Sequence, residues 1–133
     1  MRDTLLTRTL GNGLQLEFVD QSNRYFGDYH RVRILVRCQV ALRPEWLAAC
    51  PDSVAPDQLR ALLGDAVTFE RSMEQMGVAG DQLDRVKTRL IEGFLGTTAA
   101  YLGSPQFPGR FILQQWQLRS QRPQRFRPTA HDV

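Results

Sequence analysis

Apolar residues recur at every second position in two stretches of the first forty residues. Leu14, Leu16 and Phe18 form one such row, and Val32, Ile34, Val36, Cys38 and Val40 form a longer one. Side chains of a strand alternate between faces, so each row marks a strand with one face turned to a core. The spacing predicts an antiparallel three-stranded meander over residues 4–10, 14–19 and 30–40. Gly11-Asn12-Gly13 joins the first two strands, because glycine and asparagine accept the positive φ of a tight hairpin. The third strand has a second row facing the other way, Arg31, Arg33 and Arg37, interrupted by Leu35. A core face and a basic face are therefore expected on one strand.

Beyond Pro44 the period lengthens. Pro56 suits the first position of a helix. Ala66, Phe69, Met73 and Met76 recur at helical spacing, so helix is expected over about 56–76, with Gly64 an uncertain joint and Gly77 a stop. Leu83, Val86, Leu90, Phe94 and Tyr101 predict a second helix over about 82–102. A stripe of small residues, Gly93, Gly96, Ala100 and Gly103, runs along it. Ser104 to Gly109 is a break. Residues 110–119 are expected as a fourth strand with Ile112, Gln114, Trp116 and Leu118 on one face; a short helix is the alternative. The fold class is α+β, one domain over 1–119, followed by a flexible basic tail over 120–133.

A chain of 133 residues is long enough to bury a sizeable core without metal or disulfides. Its positive charge is nearly all arginine, with Lys87 the one lysine, a bias of the kind GC-rich bacterial genomes produce. The net charge of +3 comes from the C-terminal third, where Arg110, Arg119, Arg122, Arg125 and Arg127 face only Asp132. Cys38 and Cys50 are isolated, without CxxC or Cys/His spacing, which argues against a zinc site or a thioredoxin-type motif. No segment approaches the length of a membrane span and no signal-peptide pattern opens the chain, so a cytoplasmic protein is expected.

Four features bear on function. The Arg31, Arg33 and Arg37 face has a spacing near that of phosphates along a single strand, yet lacks the aromatic residues of a nucleic-acid platform. Nucleic acid is therefore a partner kept open but not favoured. The connection from Asp20 to His30 reads as a long loop and gathers Arg24, Tyr25, Asp28, Tyr29 and His30. Asp28 and His30 are the candidates for proton transfer in a small enzyme, although no nucleophile completes them. The bland expectation is that Tyr25, Phe26 and Tyr29 close an open end of the core. The small-residue stripe suggests a seam between two copies of the chain. The tail arginines with Phe126 suit an acidic partner. Glu70 and Glu74 read as a solvated helix face. No dinucleotide, P-loop or nucleophile-elbow motif is present. The residues thus point to no cofactor and no metal, and favour a binding or assembly module over an enzyme.

Overall fold

The computed structural model describes residues 3–48 and 55–130, with side chains described from Thr4 to Ser120 within them. Cys50, the tail arginines Arg122, Arg125 and Arg127, and Phe126 fall outside the described residues or side chains. The elements are β1 (Asp3–Thr9), β2 (Gln15–Asp20), β3 (Asn23–Phe26), β4 (Tyr29–Ala41), α1 (Pro44–Leu47), α2 (Pro56–Leu63), β5 (Ala66–Ala79), a 3-10 turn (Gly80–Gln82), α3 (Leu83–Thr97), α4 (Ala99–Leu102) and α5 (Phe107–Ala130). The fold is α+β around an antiparallel sheet in the order β1-β2-β4-β3, with β5 also pairing with β4.

The meander forms as expected, and it is longer than expected. β2 pairs with β4 from Leu16↔Cys38 to Asp20↔Ile34, and β3 pairs with β4 at Asn23↔Arg31 and Arg24↔His30. These pairs continue one register, which shifts only near the tip, between Arg24 and Phe26. Gln21 donates its N–H to the Arg33 carbonyl, and the Arg33 N–H donates to Ser22 Oγ. β3 thus prolongs β2 along the same edge of β4. The expected long loop is instead a hairpin arm, and its turn is only Gly27-Asp28.

One further expectation is overturned, and of the two readings of residues 110–119 the helical one holds. Residues 66–76 are not helix. The helix ends at Leu63, Gly64 takes φ 84°, and a 14-residue strand follows. Phe69, Met73 and Met76 fit a helical stripe, but the same stretch also alternates: Val67, Phe69, Met73 and Gln75 are less exposed than Thr68, Glu70, Ser72 and Glu74. What decides is tertiary. β4 needs a partner on its second edge, and β5 presents Glu70, Ser72 and Glu74 to Arg37, Arg33 and Arg31. Residues 110–119 are not a strand but part of α5. Phe107 and Phe111, one helical turn apart, stack at 5.4 Å between ring centroids, and Phe107, Pro108, Phe111 and Ile112 are buried. Pro108 is tolerated because it sits in the first turn. The backbone remains helical to Ala130, through the stretch expected as a tail. The 82–102 helix starts at Leu83 and breaks at Thr98.

The chain divides into two compact units. The first comprises residues 1–39 and 68–105. Its core joins Leu14, Leu16, Phe18, Val32, Ile34, Val36 and Cys38 of the sheet to Val86, Phe94 and Leu102 of the helices. Phe18 and Phe94 meet edge to face at 5.8 Å. The β1–β2 turn is latched by Asn12, whose Nδ2 donates to the Leu102 and Ser104 carbonyls at 2.8 and 2.9 Å. Gly103 lies against this turn, and a Cβ there would stand 3.3 Å from the Gly11 nitrogen. Close approach, rather than a seam between copies, explains that glycine. The second unit comprises residues 40–67 and 106–133. Val40, Leu42, Leu47, Leu59, Leu63, Val67, Phe107, Phe111 and Ile112 are buried in it. Arg60 ties α2 to the Leu42 carbonyl at 3.0 Å.

Candidate functional site

The site grows out of the β3–β4 hairpin. Gly27 occupies the first central position of the turn with φ 54°, the conformation that a II′-type hairpin turn requires of glycine. Phe26 and Tyr29 flank it as register partners. An irregularity at Tyr25 follows, beyond which Arg24 stands opposite His30 and Asn23 opposite Arg31. Tyr25, Phe26 and Tyr29 are 48, 73 and 50% exposed. They do not fold down over the core, contrary to expectation. Met76 on β5 is 53% exposed. Tyr25 Oη comes within 3.8 Å of where a Cβ on the adjacent Gly77 would stand.

Two carboxylates hold this arm. Asp20, at the end of β2, accepts from Lys87 Nζ of α3 at 2.7 Å, and the two side chains are only 15 and 21% exposed. Asp20 also accepts from the Ser22 N–H at 2.9 Å, which shapes the join between β2 and β3. Burial alone would raise the Asp20 carboxyl. Hydrogen bonds from Lys87 and Ser22, with the attraction of the Lys87 charge, outweigh that and hold it below its ordinary value. Asp28, in the turn itself, accepts from the Gly80 N–H at 3.1 Å. It thereby ties the tip to the 3-10 turn that opens α3. A Cβ on Gly80 would meet Asp28 Oδ1 at 2.5 Å, so glycine is what lets the carboxylate approach.

Asp28 and His30 are brought together, with His30 Nε2 3.9 Å from Asp28 Oδ1. That separation is an ion pair once the imidazole is protonated, but it is longer than a hydrogen bond. The other Asp28 oxygen is engaged by Gly80. Among the described residues no cluster of three His, Cys, Asp or Glu side chains could hold a metal.

The arginine row lies on the other face of the sheet, and each member faces an acceptor on β5. Arg37 Nε is 3.1 Å from Glu70 Oε2, Arg33 donates to Ser72 Oγ at 3.1 Å, and Arg31 Nε is 4.0 Å from Glu74 Oε1. Glu17 is the register partner of Arg37 on β2. The Nε atoms of Arg31 and Arg33 are shielded from solvent without a hydrogen-bond partner. The stems therefore lie down on the sheet, and the charged ends reach sideways to β5. The Glu70 and Glu74 carboxylates belong to this ladder and not to a solvated helix face. The small-residue stripe is open at Gly93 and Gly96, with nothing within 4 Å of an added Cβ.

No protein-family model, no curated protein and no solved structure matches the chain. Among the described residues no helix is long and apolar enough to cross a membrane.

Sequence reasoning reached Arg24, Tyr25, Asp28, Tyr29 and His30 as a group. It missed Phe26 as a contact residue, and it missed Lys87, Gly80 and β5. One signal was available for the hairpin: Phe26-Gly27-Asp28-Tyr29 has a Gly-Asp pair between aromatic residues, a two-residue hairpin pattern. The anchors had none, because Asp20 and Lys87 are brought together only by the packing of α3.

Proposed function

We propose that the protein is a non-enzymatic binding module that takes a protein partner at the aromatic tip of the β3–β4 hairpin. The observation that carries this reading is the exposure of Tyr25, Phe26 and Tyr29 together on one turn fixed at both ends, through Asp20 to Lys87 and through Asp28 to Gly80. Tyrosine and arginine are enriched where binding energy concentrates, and Arg24 adjoins the tyrosines. A pre-organised tip loses little conformational entropy on binding. The ladder to β5 supports this reading over nucleic-acid binding through Arg31, Arg33 and Arg37, since their charges already have neighbours of opposite sign or a hydroxyl. The engaged Asp28 carboxylate supports it over proton transfer by Asp28 and His30.

The test is site-specific photocrosslinking in the cells that make the protein. A photoreactive phenylalanine analogue replaces Phe26, and in a control it replaces Arg8, which is exposed on β1. The expected outcome is a discrete protein adduct at position 26 that is absent at position 8. No adduct at 26, an equal adduct at 8, or crosslinks to nucleic acid alone would refute the reading.

A further inference from the structure

In the first unit, the outer edge of β5 has no strand partner among the described residues. One edge of this strand pairs with β4, and no other described strand pairs with it. Thr68, Glu70, Arg71, Ser72, Glu74, Met76 and Gly77 are all exposed. An unpaired edge of this length is a template for a further strand. The other outer strand, β1, is half as long and is interrupted by an irregularity at Leu5, one of the devices that blunt an edge. β5 runs unbroken from Ala66 until Gly77, where φ reaches 70°.

We infer that the outer edge of β5 pairs with β5 of a second copy of this chain, antiparallel and centred on Met73, so that two sheets become one. Charge pattern selects the occupant and the register. A two-fold axis normal to the sheet keeps each face on its own side, so paired residues share a face. Centring on Met73 sets Ser72 against Glu74, Arg71 against Gln75, Glu70 against Met76, and Phe69 against Gly77. A hydroxyl meets a carboxylate, and a guanidinium meets an amide whose oxygen also accepts from Arg89. The neighbouring centres fail. Centring on Glu70, Arg71 or Glu74 sets that charge against its own copy, and centring on Ser72 sets Glu70 against Glu74 twice. Like charges directly opposite destabilise a strand pair. The strand is therefore self-complementary in one register and self-repelling in those beside it. This inference rests on β5 alone and not on the aromatic tip.

The experiment is sedimentation equilibrium of the full chain, with two substitutions at exposed Met76. Met76→Glu places a carboxylate opposite Glu70 at two symmetry-related positions, and Met76→Lys places an ammonium there. The wild type is expected to approach twice the chain mass as concentration rises. The dimer constant should weaken about tenfold in Met76→Glu and tighten by a similar factor in Met76→Lys. Circular dichroism of both variants should match wild type, since Met76 is not part of the core. A wild type that stays monomeric overturns the inference. So does a dimer whose constant is unmoved by both substitutions or moved in the same direction by both, which would place the contact on another surface, such as the open Gly93 and Gly96 stripe.

Discussion

Replacing Asp20 by asparagine isolates the charge that anchors the hairpin. Asparagine keeps an oxygen that can accept from the Ser22 N–H, so the turn between β2 and β3 survives. What is lost is the 2.7 Å bond between two charged groups, both mostly buried. A hydrogen bond to a charged group contributes about 1.5–3 kcal/mol net, and a lysine left without its counter-charge in a part-buried site keeps the loss from being small. The expected cost is about 2 kcal/mol at neutral pH, or about 8 °C in Tm for a chain of this size. The pH dependence separates this from a generic packing defect. The Asp20 carboxyl sits below its ordinary value of 3.8 in the folded protein. A carboxyl lowered by folding stabilises the fold fully above its unfolded value, and that contribution disappears as pH falls through the folded value. Urea denaturation of wild type and Asp20→Asn should therefore differ by about 2 kcal/mol at pH 7 and by less well below the carboxyl's unfolded value. Amides of Asn23 to Tyr29 should also exchange faster in the variant. Equal stability at neutral pH, or an equal deficit at both pH values, would refute the argument that the ionised pair holds the arm.

The second anchor and the buried thiol make two further tests. Gly80→Ala should cost about 1 kcal/mol, because a Cβ 2.5 Å from Asp28 Oδ1 forces the carboxylate off the Gly80 N–H. Asp28→Ala in that background should then cost little more, and simple additivity in thermal denaturation would show that the two residues do not share one contact. The Cys38 thiol, pushed up to about 11 by burial, should resist alkylation at pH 7–8 in the native protein and react after unfolding; modification of the Cys38 peptide at the pace of a free thiol, read by mass spectrometry, would contradict its placement.

The sheet was legible where one strand faces a core. Leu14 to Phe18 and Val32 to Val40 alternate without interruption, because β2 and β4 bury one side completely. β5 was not legible, because an edge strand buries too little to force alternation. Its Phe69, Met73 and Met76 fit a period of 3.6 as well as one of 2, and only pairing with Arg31, Arg33 and Arg37 decides between them. At α5 the sequence leaves strand and helix both open, for the converse reason. Ile112, Gln114, Trp116 and Leu118 alternate, but burial in the structure selects Phe107, Pro108, Phe111 and Ile112, which share one side of a helix. At the candidate site, sequence placed the right residues close together but in the wrong conformation. A run of polar and aromatic residues reads as a loop, although the Gly-Asp turn and the pairing of Asn23 and Arg24 with β4 make it the end of a hairpin arm.

That conformation changes what Asp28 and His30 can be for. In a free loop, a carboxylate two residues from an imidazole is at liberty to orient it. On a hairpin turn, Asp28 is drawn toward the Gly80 N–H at the opening of α3, and its distance to His30 is what remains after that bond is made. An acceptor at the start of a helical segment meets unpaired N–H groups, so the carboxylate is stabilised where it stands. Asp20 acts in the same way at the other end of the arm. Two carboxylates committed to immobilising a short hairpin are hard to reconcile with a structure that needs only to bury its core, since Asn23 to Phe26 contribute no buried residue to it. They are explained if the aromatic residues between them must be presented in one fixed arrangement, the condition under which exposed rings bind a partner rather than collapse onto the surface that carries them.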